Sequence, residues 1–303
     1  MKKKICLSMN SIFKLSLLFF SLFAQSQIKL SGIVKDNNTK EILEYANVGL
    51  KQSKLGVNSD ENGNFNLTLP ANVKKDTLVI SYIGYKTIEL PISESLMNEV
   101  FLMQTSAFGL DEVTIYSYNE KVKLGSFSPH HKIAYSFTSD SLKGSELGKR
   151  VFVEKPVLLK DIFFFVKENT FKSVKLRLNF YALDNKYLPT DKIEIKEQVI
   201  VDVTKKGKIK FDISDYNIKM TDHFLLSVEP IDYVGSGEFV LMGEWHSTKA
   251  VYRNIEEYPK NHVNVFGYIT SGFFKRQHNQ DDWIELRPHN LAIKINALEA
   301  SAD

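Results

Sequence analysis

The stretch "SDENGN" (residues 59–64) spaces Asp60, Asn62 and Asn64 at alternate positions, as the first oxygen ligands of a calcium loop would stand. Such a loop needs glycine at its sixth place and a bidentate glutamate at its twelfth. Here Gly63 comes fourth and Ala71 twelfth, so the pattern reads as a tight hairpin turn. Asp and Asn side chains bond nearby backbone and, with Gly, tolerate positive φ. Zinc peptidase chemistry would need two histidines and a carboxylate on a rigid element, with a general base beside them. His130, His131, His223, His246, His262, His278 and His289 occur without any His-x-x-Glu or His-Glu-x-x-His. The nearest approach is His278 to Asp281 in the polar stretch "RQHNQDD", which has no companion histidine at a useful spacing. Ser236 in "VGSGE" lacks the Gly-x-Ser-x-Gly elbow of a hydrolase nucleophile, and no phosphate-cradling glycine loop is present. No catalytic residue, cofactor site or metal site is therefore assigned.

Two weaker constellations remain. Glu229 in "LSVEPID" and Glu244 in "LMGEWHS" are the acids to consider as a glycosidase pair, against a plainer reading as strand-end residues. The two tryptophans, Trp245 and Trp283, stand near His246, Tyr252, Arg253, Phe273, Phe274 and Arg276. Aromatic faces with fixed donors suit a sugar ring or a peptide groove. The alternative is that both rings fill a core.

The elements that must position these residues read as strands. "GNFNLTLP" alternates Phe65, Leu67 and Leu69 with Asn64, Asn66 and Thr68, and "VKLRLNFYA" sets Leu176, Leu178 and Phe180 against Lys175, Arg177 and Asn179. Period two marks a strand with one buried face. From 126 to 298 about ten such segments recur between turn-forming stretches, the spacing of a jelly-roll-like two-sheet sandwich. They include "KIEIKEQVIV" at 192–201. A smaller series fills 27–103. Between them, 104–125 reads as a linker whose "LDEVTIYS" forms one strand, paired within the chain or added to a partner's sheet edge.

Residues 1–26 have the form of a secretory signal: Lys2, Lys3 and Lys4, an apolar run from Ile12 to Phe23, then Ala24 and Ser26. Removing this segment, which holds four lysines and no acid, takes the formal charge from +3 to −1, so nothing points to a nucleic-acid partner. The single cysteine, Cys6, lies inside the signal, which excludes disulfides and thiolate chemistry from the mature protein. No later apolar run is long enough for a transmembrane helix.

"SGIVKDNNTKEILEYANVGLKQSKLGVNSDENGNFNLTLP", followed by "DTLVISYIGYKTIEL", resembles the carboxypeptidase-regulatory-like domain, a transthyretin-like β-sandwich common in exported Bacteroidetes proteins. The likeness rests on "G-x-V-x-D", the "A-N-V" strand, the "S-D-x-x-G-x-F" hairpin and "S-Y-I-G-Y". It implies a non-catalytic docking or interaction module. The segment after it is similar to the one that follows this module in TonB-dependent receptors. Fewer than two hundred residues remain, however, without the strand series of a large barrel. The span from "VFVEKPVLLKDIFFFV" to "HFLLSVEPID" resembles a C-terminal domain that often follows such modules, for which no activity is implied. The expectation is an all-β protein of two sandwiches, exported to the envelope of a Gram-negative bacterium. Its partner would be an envelope protein or, through Trp245 or Trp283, a glycan. An unrecognised hydrolase is the remaining alternative.

Overall fold

The computed structural model describes residues 28–245, apart from breaks at 70–72, 74, 94–95, 97, 107–115, 131 and 139–143, and residues 273–276, 282–286 and 289–301. The signal segment and the "DEVTI" of the linker lie outside the described residues. Of the described residues 62% lie in strands and 2% in helix, an all-β architecture. Among the described residues no helix is long and apolar enough to cross a membrane.

The N-terminal sheets are built from β1 (Ile28–Asp36), β2 (Asn47–Leu50), β3 (Leu55–Asn58), β4 (Asn64–Leu69), β5 (Thr77–Ser81), β6 (Ile88–Pro91) and β7 (Glu99–Met103). One sheet runs β4-β1-β7 and the other β3-β2-β5-β6. The alternation in β4 holds: Phe65, Leu67 and Leu69 are buried while Asn66 and Thr68 face solvent. They meet Leu30, Val34, Val48, Leu50, Leu78, Ile80, Phe101 and Met103 in one core. Gly32 in β1 is bare for a reason. A Cβ there would stand 2.6 Å from the Phe101 ring, which lies across it from the parallel strand β7.

The turn before β4 is made by Asp60. One carboxylate oxygen accepts from the backbone N–H groups of Asn62 at 2.9 Å and Asn64 at 2.8 Å, and Gly63 sits at φ 72°. The acid is spent on the chain itself, which is the hairpin chemistry its spacing predicts.

The larger body contains β8 (Tyr118–Gly125), β9 (Ala134–Thr138), β10 (Glu146–Val151), β11 (Val157–Asn169), β12 (Ser173–Leu183), β13 (Pro189–Lys192), β14 (Val199–Val203), β15 (Gly207–Asp212), β16 (Lys219–Met220), β17 (Phe224–Val234) and β18 (Glu238–Trp245). It is completed by β19 (Phe273–Arg276), β20 (Ile284–Leu286), β21 (His289–Leu291) and β22 (Ile293–Ala300). One sheet runs β13-β12-β17-β10-β19-β20 with β14 on β12; the other runs β21-β18-β11-β22-β8, with β15 and β16 on β11 and β9 on β18. Leu176, Leu178 and Phe180 of β12 and Phe224, Leu226 and Val228 of β17 pack with Ile162, Phe164 and Val166 of β11 and Ile293 and Ile295 of β22. Two apolar inner faces closing on each other are what define a sandwich.

Two local features depart from the sequence pattern. Tyr118–Gly125, within the stretch read as linker, is a strand paired with β22 in this chain's own sheet. "KIEIKEQVIV" is not one strand, because pairing stops at Lys192 and resumes at Val199. Pro230 in β17 is tolerated because it lies beyond Val228, which pairs with Leu147 of β10, and among the described residues its own partner is Leu176 of β12.

Candidate functional site

Alternation in β12 puts Arg177, Asn179 and Tyr181 on the face away from the sandwich core. The same rule puts Leu225, Ser227 and Glu229 of β17 beside them. A polar face of this kind ordinarily meets water. Here it is covered: Arg177, Asn179, Tyr181, Ser227, Glu229 and Glu146 are all buried.

Arg177 is the hub. Its Nε and one terminal nitrogen donate to the two oxygens of Glu229, each at 2.9 Å, a bidentate pair. The guanidinium also donates to the Tyr45 carbonyl at 2.7 Å, to Gln198 Oε1 at 2.9 Å, to Asn58 Oδ1 at 3.3 Å and to Asn47 Oδ1. Asn58 Nδ2 returns a bond to Glu229 at 3.1 Å. Asn47 and Asn58 belong to β2 and β3 and Tyr45 to the turn before β2, so the pair clamps the two bodies together. Tyr45 reaches the clamp through a left-handed backbone (φ 58°) that turns its carbonyl toward Arg177.

Burial alone would push the Glu229 carboxyl up. The adjacent Arg177 charge and its hydrogen bonds, helped by Lys192 and Asn179, outweigh this and hold it well below the usual carboxylate range. Burial likewise opposes the Arg177 charge, and Glu229 more than restores it.

The network runs on across the face. Asn179 Nδ2 bridges Glu229 at 2.8 Å and Glu146 at 3.1 Å. Glu146 accepts from Arg276, from the Tyr181 hydroxyl at 3.0 Å and from Ser227. Burial and the Glu146 charge push the Tyr181 hydroxyl well up. Arg276 then lies over Trp283, 4.6 Å from the ring centre, while Tyr181 meets that ring edge-on at 5.2 Å. Trp283 is half-buried. It belongs neither to the sandwich core nor to an open platform, because a guanidinium occupies one of its faces.

Trp245 closes β18 opposite His289. Its side chain, and all of His246, Tyr252, Arg253 and His278, lie outside the described residues, as does the side chain of Phe273; Phe274 is buried. Ser236 is exposed in the turn between β17 and β18. Among the described residues no three His, Cys, Asp or Glu side chains gather as metal ligands would.

Glu229 and Glu244 do not meet. Glu229 sits on the outer face, whereas Glu244 is sunk between the sheets with Lys149, whose ammonium donates to it at 3.2 Å and to the Leu291 carbonyl at 2.7 Å. Burial draws Lys149 down to about 8, against the pull of Glu244. The acids that do converge are Glu229 and Glu146, joined through Asn179. Sequence reasoning missed Arg177, Glu146 and Asn179 as site residues, because alternation reports a shared face and not its cover.

Above the clamp a cavity of about 210 Å³ opens between the two bodies. Its walls include Ser81, Tyr82 and Thr87 on one side and Lys192, Ile193 and Ile195 on the other. Lys192 is half-buried, and its ammonium is drawn down to about 8 by burial and by repulsion from Arg177, which Glu229 and Glu146 only partly offset.

Two small N-terminal sheets clamped to a larger two-sheet sandwich are the arrangement these residues define. Residues 30–115 match the CarboxypepD_reg-like domain, which places such a domain at the N-terminal sheets. The chain is 36% identical over 121 residues to the TonB-dependent receptor SusC of Bacteroides thetaiotaomicron, a stretch that is 38% of this chain and 11% of the receptor. Among solved structures, the clostridial cysteine protease Cwp84 shares 10% identity over 91% of this chain and 72% of that one, at a TM-score of 0.34. A putative membrane-associated protein from Bacteroides fragilis shares 9% over 73% of this chain and 99% of that one, at 0.21. At such scores and identities neither likeness bears on function.

Proposed function

We propose that this chain is an exported binding protein of a Gram-negative cell envelope. In this reading it holds a protein partner on its paired sandwiches and carries out no reaction. The domain match and the SusC likeness support the envelope setting. The observation that carries the reading is the state of the buried polar groups. A glycosidase acid must be protonated near neutral pH, in surroundings that raise its pKa. Glu229 is driven the opposite way by a bidentate arginine, and Glu146 is saturated by Arg276, Tyr181, Ser227 and Asn179. These acids hold the protein together and have no lone pair aimed at a substrate. A sugar stacking on Trp283 would have to use the ring face opposite Arg276.

Crosslinking of the full chain in the envelope fraction of its own cells, followed by titration with the purified crosslinked protein, tests this. A saturable complex is expected. Turnover of peptides or glycosides at enzymatic rates, or no saturable complex with any recovered protein, overturns it.

A further inference from the structure

We propose that the cavity between the two bodies is a site for a small organic monocarboxylate with an apolar tail, anchored by Lys192. Three observations carry this. The first is the charge. Lys192 lines the cavity half-buried, and among the described residues no hydrogen bond or ion pair holds its Nζ. Arg177, which also reaches the wall, is already matched by Glu229. An ammonium drawn out of water without a partner is costly, and an incoming anion supplies what the fold leaves out.

The second observation is the pattern of donors. Asn47 uses its oxygen on Arg177, and no described group accepts from its Nδ2. Ser81 and Thr87 line the same cavity and likewise make no side-chain hydrogen bond among the described residues. The third is the apolar lining that Ile83, Ile193 and Ile195 add to the same cavity. One cation without a hydrogen-bonded partner, with Glu194 at the wall and Glu229 and Glu146 behind, matches a single negative charge better than a phosphate dianion. An enclosed site of about 150 Å³ holds a benzene ring, so 210 Å³ has room for a ligand of roughly ten heavy atoms. A free aliphatic acid and the C-terminal residue of a peptide share this chemistry. This site is distinct from the docking role above, and either can fail while the other stands.

Calorimetric titration of the full chain separates the outcomes. The probes are 4-methylpentanoate, N-acetyl-leucine, an N-acetylated tripeptide ending in leucine, and the uncharged N-acetyl-leucinamide. The acids are expected to bind at least about tenfold more tightly than the amide, a difference of about 1.4 kcal/mol. Lys192→Met should abolish that preference while leaving the thermal unfolding of the protein in place. Ile195→Trp, which fills the cavity from its apolar wall, should remove binding of every probe. Tripeptide binding equal to that of N-acetyl-leucine identifies a peptide C-terminus as the source, and binding of 4-methylpentanoate alone identifies a free acid. Equal affinity for acid and amide, an unchanged preference in Lys192→Met, or no binding by any probe up to about 10 mM overturns the proposal.

Discussion

Replacing Arg177 by methionine should do more damage than any surface change in this protein, and the structure fixes how. The guanidinium is 4% exposed and the Glu229 carboxylate 1%, so the pair is fully removed from water. Met fills most of the volume of the arginine stem but leaves Glu229 charged and uncompensated. The Tyr45 carbonyl and the Asn47 and Asn58 side-chain oxygens lose their donor at the same time. Breaking a buried ion pair from one side costs about 3–5 kcal/mol. At roughly 2–4 °C per kcal/mol for a body of this size, the melting temperature should fall by roughly 6–20 °C. The lost bonds also join the two bodies, so urea unfolding should change from one transition into two.

The double variant Arg177→Met with Glu229→Leu decides the mechanism. If the penalty is the stranded charge, removing that charge should recover at least half of the loss, because apolar replacements of whole buried pairs are close to neutral. Paired urea titrations of the four proteins in the cycle measure this directly. A single variant within about 1 kcal/mol of the parent refutes the argument that the clamp is a stability determinant. A double variant as unstable as the single one refutes the stranded-charge account.

Other expectations follow from the same geometry. Glu229 has its carboxyl lowered in the folded state, so the stability it contributes is complete above its ordinary value of 4.5 and is lost as pH falls toward the depressed folded value. In Arg177→Met burial acts on the stranded carboxyl without the arginine and raises it, so the stability gap between parent and variant should be largest above that raised value and narrow steadily as pH falls through it and on toward the parent's depressed one; a gap that widens on acidification would contradict the assignment. Asp60 is consumed mainly by backbone, so millimolar calcium should move the melting temperature by less than about 1 °C, and Asp60→Ala should cost about 1–2 kcal/mol through two lost backbone bonds and the longer one from Asn64 Nδ2. Trp283→Ala should cost about 1–3 kcal/mol by removing the ring wedged against Tyr181, Phe274 and Arg276, which differential scanning calorimetry can read. If the same variant loses glycan-array signals that the parent shows, the protein is a sugar binder and the reading of Trp283 as packing is wrong.

The strands were legible because a half-buried strand writes its environment into the chain every second residue. Phe65, Leu67 and Leu69 in β4 follow that rule to the residue; in β12 Leu176, Leu178 and Phe180 do face the core, although Arg177 and Asn179 between them are buried as well. What the rule omits is the identity of whatever covers the other face. Arg177 is buried by Tyr45, Asn47 and Asn58, more than a hundred positions earlier, and local pattern carries no information at that range. A fainter clue was present in "FLLSVEPI", where Leu225 shares its alternate face with Ser227 and Glu229. A lone acid that shares its face with a small hydroxyl and a leucine is not the composition of a solvated face, and it calls for a buried cation.

The break in "KIEIKEQ" shows the converse limit. Ile193 and Ile195 alternate with Lys192, Glu194 and Lys196 and do pack against the larger core, so the pattern was right about which side is apolar. The ladder nevertheless ends there: Ile193 still donates to the Phe180 carbonyl at 2.8 Å, and regular pairing returns only with Val199. Alternation measures burial on one side of a chain, whereas a strand also needs a neighbour at hydrogen-bonding distance. Lys192 is the last paired residue, opposite Tyr181 of the outer face, and where the chain then leaves its neighbour it runs along the cavity wall.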